Sequence, residues 1–126
     1  MIDLQPTKCN LCGGDVEYIE NSKIYGKSYG SGWCYHCKSC EAYVGTHKPR
    51  PKIALGILAN KEMKGWKMSC HKMFDDLWKK QGFNRGFCYK WLAIEMGIEY
   101  KDCHFGYFNM KQLRQAYAIL KNKKPI

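Results

Sequence analysis

Two pairs of cysteines, each separated by two residues, offer the clearest chemistry in this sequence. Cys9 and Cys12 form the first pair, and Cys37 and Cys40 can form the second. A C-x-x-C turn directs two thiolates at the same ion, and four thiolates make the tetrahedral site of a zinc ribbon. Because four sulfur ligands leave no open position for water, we expect one structural zinc ion rather than a catalytic one.

A further cysteine leaves two choices for the second pair of zinc ligands. Cys34 stands three residues before Cys37, so Cys34 and Cys37 could replace Cys37 and Cys40 as ligands. The spacing alone fits both choices.

Length and composition restrict the classes of protein. The chain has 126 residues, with 21 Lys+Arg against 11 Asp+Glu and a formal charge of +10. This length suits one domain, or one small domain joined to a zinc module. The longest apolar run, residues 53–59, is far short of the roughly 20 residues of a membrane span. The first residues show no basic segment followed by an apolar run, so we expect no secretory leader and a reducing cytoplasm, where cysteines hold metal.

The elements that must position the cysteines are short strands. Residues 15–20 and 41–46 alternate in polarity and predict strands, with a turn-rich connector at residues 25–32 between them. Pro49 and Pro51 predict an interruption of regular structure and a boundary near residue 52.

The pattern after this boundary has the period of helices. Asn60 is a candidate N-cap for a long helix that ends before Gly82. A second helix follows Asn84, and a third begins at Asn109 with the spacing of a capping box. We therefore predict an α+β protein: a four-cysteine zinc-ribbon β module at residues 1–52, packed on a bundle of about three helices at residues 53–126. We expect the two modules to form one compact unit.

The positive charge favours nucleic acid or another acidic partner. Residues 53–126 hold 14 basic and 6 acidic residues, a balance of +8, against +2 for residues 1–52. Basic and aromatic residues alternate in the connector, as in loops that stack unpaired bases. The candidate binding residues are Lys23, Tyr25, Lys27, Tyr29, Lys48, Arg50, Lys52, Lys61, Lys64 and Lys67. Alternatively, Tyr25, Trp33 and Tyr43 cover the zinc module, and the lysines form a solvated face.

Two further groups have a weaker chemical interpretation. Cys70–His71 and Cys103–His104 could complete a second metal site, but buried thiols on an apolar helix face are the simpler interpretation. His71 and Asp75 lie one helical turn apart, yet no nucleophile motif accompanies them. We therefore expect a protein that is not an enzyme.

Several segments resemble a small phage and prophage family of zinc-finger-containing proteins. They are residues 25–30 (YGKSYG), 37–47 (CKSCEAYVGTH), 55–60 (LGILAN), 71–78 (HKMFDDLW), 89–93 (YKWLA) and 103–108 (CHFGYF). The resemblance covers roughly residues 8–120. It implies zinc and a viral context with no assigned reaction. It favours Cys37 and Cys40 as ligands, since they directly precede the matching run at residues 41–45, and leaves Cys34 as a spare thiol.

Two functions agree with these features. The first is a non-enzymatic, zinc-binding phage-type protein that binds nucleic acid or a nucleic-acid-handling machine through backbone electrostatics. The alternative is an anti-CRISPR inhibitor that docks on a Cas effector such as Cas9 and blocks DNA loading. In both cases we expect a monomer in the bacterial host cytoplasm.

Overall fold

The computed structural model describes residues 2–125 and has a mixed α+β architecture. Contacts divide the chain into two compact units, unit 1 up to Lys61 and unit 2 from Glu62. The predicted fold class is confirmed. Met1 and Ile126, at the outer ends of the two predicted modules, lie outside the described residues.

Unit 1 is built on a four-stranded antiparallel sheet. Its strands are β1 (Val16–Glu20), β2 (Trp33–Cys37), β3 (Tyr43–His47) and β4 (Arg50–Ala54), in the spatial order β1-β2-β3-β4, with a one-turn helix α1 (Ser22–Tyr25) between the first two. The core of this unit contains Cys9, Cys37, Tyr35, Val44 and Leu58, all buried. Two of the candidate zinc ligands are therefore core residues.

Strands β2 and β4 differ from the sequence-based expectation. Strand β2 was not predicted, because its residues do not alternate in polarity. Cys34, Tyr35 and Cys37 are all buried, so that both faces of the strand are covered. Strand β4 contains Pro51 and residue 52, where an interruption was predicted. It lies at the edge of the sheet, and an edge strand tolerates a proline without a ladder N–H donor.

Unit 2 is helical. It contains nearly all of α2 (Lys61–Lys79), then α3 (Arg85–Met96) and α4 (Met110–Asn122), with 3₁₀ turns at Tyr100–Asp102 and Phe105–Tyr107. Phe74, Phe105 and Phe108 are fully buried in its core. The rings of Phe74 and Phe105 meet edge to face with centroids 5.4 Å apart.

The predicted N-caps at Asn84 and Asn109 are confirmed. The Asn84 side chain accepts from the Phe87 N–H at 3.0 Å. At α4, Asn109 and Gln112 exchange two hydrogen bonds of 2.9 and 3.0 Å, which completes the predicted capping box. The three predicted helices are confirmed.

Within residues 2–125, no helix combines the length and the apolar character that a membrane span requires.

Candidate metal centre

The first cysteine pair lies on a tight turn before β1. The Gly13 N–H donates to the Cys9 carbonyl, and the Cys9 N–H donates to the Gly14 carbonyl, each at 2.9 Å. The Leu11 N–H points at the Cys9 sulfur at 3.3 Å. Gly13 has φ +78°, a left-handed conformation that glycine adopts at little cost. The residue after Cys12 thus turns the chain back around the two sulfurs.

The second pair lies on a similar turn at the end of β2. The N–H groups of Ser39 and Cys40 both point at the Cys37 sulfur at 3.4 Å. Glu41, which follows the second cysteine as Gly13 does in the first turn, has φ +68°. It is the one non-glycine residue with positive φ among residues 2–125.

The two turns bring four sulfur atoms together. The sulfurs of Cys9, Cys12, Cys37 and Cys40 all lie within 4.8 Å of one another. The Cys9–Cys40 separation is 3.7 Å and the Cys12–Cys37 separation is 3.5 Å. Zn–S bonds of about 2.3 Å in a tetrahedron place sulfurs about 3.8 Å apart, so this group fits one zinc ion.

The surroundings of the sulfurs set their protonation. The N–H of Cys40, with help from that of Ser39, lowers the pKa of Cys37 to about 6 despite its burial. At Cys40 the Ala42 N–H acts in the same direction, but burial and hydrogen bonds with the other three sulfurs outweigh it and raise the pKa to about 12. A divalent cation that binds the four sulfurs displaces the thiol protons that remain. With four thiolates and Zn²⁺ the site contributes 2 − 4 = −2, so the formal charge of +10 becomes +8.

Two residues that support the centre were not identified from the sequence. A Cβ atom at Gly14 would lie 2.6 Å from the Ser39 Oγ atom, so this glycine permits the close approach of the two turns. The Asn10 side chain donates to the Leu58 carbonyl at 3.0 Å and accepts from the Leu58 N–H at 2.9 Å. The sequence C-N-L-C of the first turn shows a polar residue between the cysteines, but nothing in the sequence indicates that Leu58 is its partner.

Cys34 does not join the sulfur group. It lies in β2, is 1% exposed, and lines a cavity on another part of unit 1. All eight cysteines lie in the described part of the chain, and none forms a disulfide.

Of the residues considered for a second metal site, the two cysteines are in the core of unit 2, whereas His71 and His104 are exposed. Cys70 and Cys103 are buried, and burial raises the pKa of each thiol to about 11. The His71 ring packs on Phe105 at 4.7 Å, and partial burial lowers its pKa. Over residues 2–125, the four-cysteine group is the one set of three or more potential ligands close enough to share an ion.

The candidate binding residues occupy different environments. Those of the connector and of β4 with its preceding turn are exposed: Lys23, Tyr25, Lys27, Tyr29, Lys48, Arg50 and Lys52. On α2, Lys61 is exposed and Lys64 is half-buried. Lys67 donates to the Gly106 carbonyl at 3.3 Å, and burial lowers its pKa to about 8. Its ammonium group is therefore partly engaged inside unit 2.

Comparison with known proteins agrees with this centre. The family described as a zinc-finger-containing domain matches residues 5–123. The comparisons with curated proteins and with solved structures each give no match. The family match spans both units and all four clustered cysteines. The chain therefore belongs to the family of zinc-finger-containing domains, and its cofactor is one structural zinc ion.

Proposed function

We propose that this protein is a small, non-enzymatic zinc-binding protein that acts by binding nucleic acid. The zinc centre stabilises unit 1, and a basic, aromatic surface of the same unit makes the contact. The phage-type origin and the bacterial cytoplasm belong to this proposal, because they follow from the family resemblance of the sequence.

The observation that carries the proposal is the pairing of exposed rings with a lysine. Tyr25 is 46% exposed and Tyr29 is 49% exposed, and their rings meet edge to face at 5.1 Å. The Lys27 ammonium lies 5.2 Å from the centroid of the Tyr29 ring. Exposed rings stack on unpaired bases while adjacent lysines contact phosphates.

A second lysine lies against another aromatic pair of unit 1. The Lys52 ammonium lies 5.5 Å from the Tyr18 ring, which stacks on Trp33 with centroids 4.8 Å apart and planes 2° apart. Lys52 itself is exposed. The formal charge of +10 favours association with a polyanion in the same way.

The non-enzymatic assignment is supported by how the candidate catalytic groups are used. Four sulfur ligands close the coordination sphere of the zinc ion. Asp75 accepts from the Trp78 indole N–H at 3.0 Å, and the His71 ring packs on Phe105. Both side chains of the candidate acid–base pair thus have structural contacts.

The proposal is tested by measuring binding to labelled single-stranded DNA, duplex DNA and RNA at about 50 to 200 mM salt. We expect an affinity that falls steeply with salt. Lys27→Gln is expected to reduce the salt slope by about one, whereas Lys80→Gln, at an exposed lysine that is paired with Asp76, is expected to leave it unchanged. Absence of binding to all three nucleic acids at the lowest salt would contradict the proposal.

A second candidate is an anti-CRISPR inhibitor that docks on a CRISPR effector nuclease. It is supported by large apolar side chains that unit 2 exposes, Met68 at 73% on α2 and Ile94 at 77% on α3. Exposed apolar residues are typical of protein-binding surfaces. Retention of one effector from a nuclease-treated lysate, together with inhibition of its DNA cleavage, would favour this candidate if nucleic-acid binding is absent.

A further inference from the structure

Unit 1 contains a cavity of about 520 Å³ between the segment that connects β1 to β2 and the strand β3. Tyr25, Tyr29 and Trp33 contribute aromatic rings to its wall, and Leu55 contributes an exposed aliphatic side chain. This volume lies within the range of about 300–1,000 Å³ that is usual for small-molecule sites. The cavity can therefore receive a planar group of the size of a nucleobase.

The space exists because two small residues lie next to each other on adjacent strands. Gly45 of β3 is paired in register with Cys34 of β2, and both line the cavity. A Cβ atom at Gly45 would lie 3.5 Å from Leu55 Cδ1, which is ordinary contact. A Cβ atom added at Gly45 would therefore lie at the cavity without a backbone clash.

The polar side chains of Asn21, Ser31 and Thr46 in the wall already have hydrogen-bond partners. Asn21 donates to the Tyr29 carbonyl at 2.8 Å and accepts from the Tyr29 N–H at 3.2 Å. The hydroxyls of Ser31 and Thr46 share a 2.6 Å hydrogen bond. Because these groups are engaged, the wall offers rings and aliphatic surface to a ligand, which favours stacking over recognition of base edges.

Charge identifies the kind of ligand. None of the ten lining residues in the described chain carries a carboxylate. Lys27 lies against Tyr29, one of the aromatic residues that line the cavity. A lysine thus flanks an apolar, aromatic cavity, which suits a flat apolar ring attached to an anionic chain.

We propose that this cavity receives one unpaired nucleobase from a single-stranded segment, while Lys27 contacts an adjoining phosphate. This inference rests on the proposed nucleic-acid binding and specifies its substrate as single-stranded. A paired base is stacked between its neighbours and cannot enter. The engaged polar groups make the site tolerant of base identity.

The test compares two strands that carry the same phosphates. The zinc-loaded protein is titrated with an oligothymidine of about 12 nucleotides and with an abasic strand of equal length, at several salt concentrations. We expect the abasic strand to bind about tenfold more weakly, because base stacking is lost. The salt slopes of the two strands remain equal, because the phosphates are the same.

Two variants locate the effect in the cavity. Gly45→Val fills the space with a residue suited to a strand, and we expect it to remove the difference between the two strands while the zinc content stays at one ion. Tyr29→Ala removes a wall ring and is expected to reduce the same difference. Tyr100→Ala, at a tyrosine of similar exposure, 52%, that does not line the cavity, keeps it.

The outcomes separate this inference from the proposed function. Equal affinity for the two strands would overturn the cavity proposal and leave salt-dependent nucleic-acid binding intact. A difference that persists in both Gly45→Val and Tyr29→Ala would also overturn it. No binding of either strand would overturn the proposed function, and the cavity proposal with it.

Discussion

Gly14 controls how closely the two cysteine turns approach each other. Its hydrogen atom occupies the place where a Cβ atom would meet the Ser39 Oγ at 2.6 Å and the Cys12 sulfur at 3.2 Å. The neighbouring Gly13 has a different role, since no atom lies within 4 Å of its hypothetical Cβ but its φ is +78°. One glycine is required for space and the other for backbone conformation.

Replacing Gly14 with alanine should weaken the metal centre. The added methyl group displaces Ser39 and with it the turn that holds Cys37 and Cys40, so we expect zinc affinity to fall about tenfold or more. Competition with a chromophoric chelator measures this affinity. Gly65→Ala in α2, where nothing lies within 4 Å, should leave zinc affinity unchanged and stabilise the helix by about 0.5–1 kcal/mol. Equal zinc affinity in Gly14→Ala and the wild type would contradict this role.

Glu41 occupies a conformation that suits glycine better. Its φ of +68° places the backbone in the left-handed region, which costs L-residues about 1–2 kcal/mol. Glu41→Gly should therefore raise the free energy of unfolding of the zinc-loaded protein by about 0.5–1 kcal/mol. Denaturant unfolding monitored by fluorescence measures the change. The matched change Glu20→Gly at the end of β1, in extended backbone, should lower stability instead. Loss of stability in Glu41→Gly would show that its side chain contributes more than the strain removes.

Asn10 connects the first cysteine turn to the segment after β4. Its amide pairs with both backbone groups of Leu58, whose side chain is fully buried. Ala59 continues this arrangement through reciprocal backbone hydrogen bonds with Tyr43. The segment that follows residue 52 is thus attached to the zinc-containing unit.

Removal of the Asn10 amide should destabilise unit 1. Asn10→Ala leaves the buried N–H and C=O of Leu58 without these partners, at about 1–3 kcal/mol for each group. We expect a loss of about 2 kcal/mol or more in unfolding free energy, and faster hydrogen exchange at the Leu58 amide. Asn122→Ala, which removes an exposed bond to the Ala118 carbonyl, should cost less than about 0.5 kcal/mol. Similar losses in the two variants would contradict a specific role for Asn10.

The helices could be predicted from sequence because their determinants are local. The caps at Asn84 and Asn109 and the stop at Gly97 act within four residues of the helix ends. The strands β2 and β4 lacked such local features. Strand β2 is covered on both faces, and β4 is extended because it pairs with β3 at the edge of the sheet. The formation of both strands therefore depends on pairing with residues that are distant in the sequence.

The metal centre was equally accessible from sequence, whereas its supports were not. The C-x-x-C spacing is local and predicted a four-cysteine site, and the family resemblance favoured Cys40 over Cys34; the four sulfurs converge accordingly. The contacts of Asn10 with Leu58 and of Gly14 with Ser39 join residues 48 and 25 positions apart. The cavity beside Gly45 depends on a register between strands, which spacing within one segment does not reveal.

The two units obtain their stability in different ways. Unit 1 places Cys9 and Cys37 within its hydrophobic core, so the metal centre and the core are one structure. Unit 2 has a core of aromatic and aliphatic side chains, including Phe74, Leu92 and Leu113. Zinc therefore contributes directly to the folding free energy of unit 1.

Zinc removal should accordingly affect the two units differently. After treatment with a strong chelator, we expect the amide resonances of Tyr35 and Val44 in unit 1 to collapse into the unfolded range. The resonances of Leu92 and Leu113 in unit 2 should keep their dispersion. Readdition of zinc should restore the spectrum of unit 1. Persistence of the unit 1 resonances without zinc, or simultaneous loss of both sets, would contradict this division.

The ligand set is the central claim, and the zinc content of two single-cysteine variants tests it most directly. Cys34 and Cys40 each stand three residues from Cys37, but the Cys40 sulfur alone of these two joins the cluster. Native mass spectrometry of purified protein should find one zinc ion per chain in the wild type and in Cys34→Ser, and loss of that ion in Cys40→Ser. A full zinc equivalent in Cys40→Ser, with zinc lost from Cys34→Ser, would show that Cys34 is the ligand and would contradict the geometry described above.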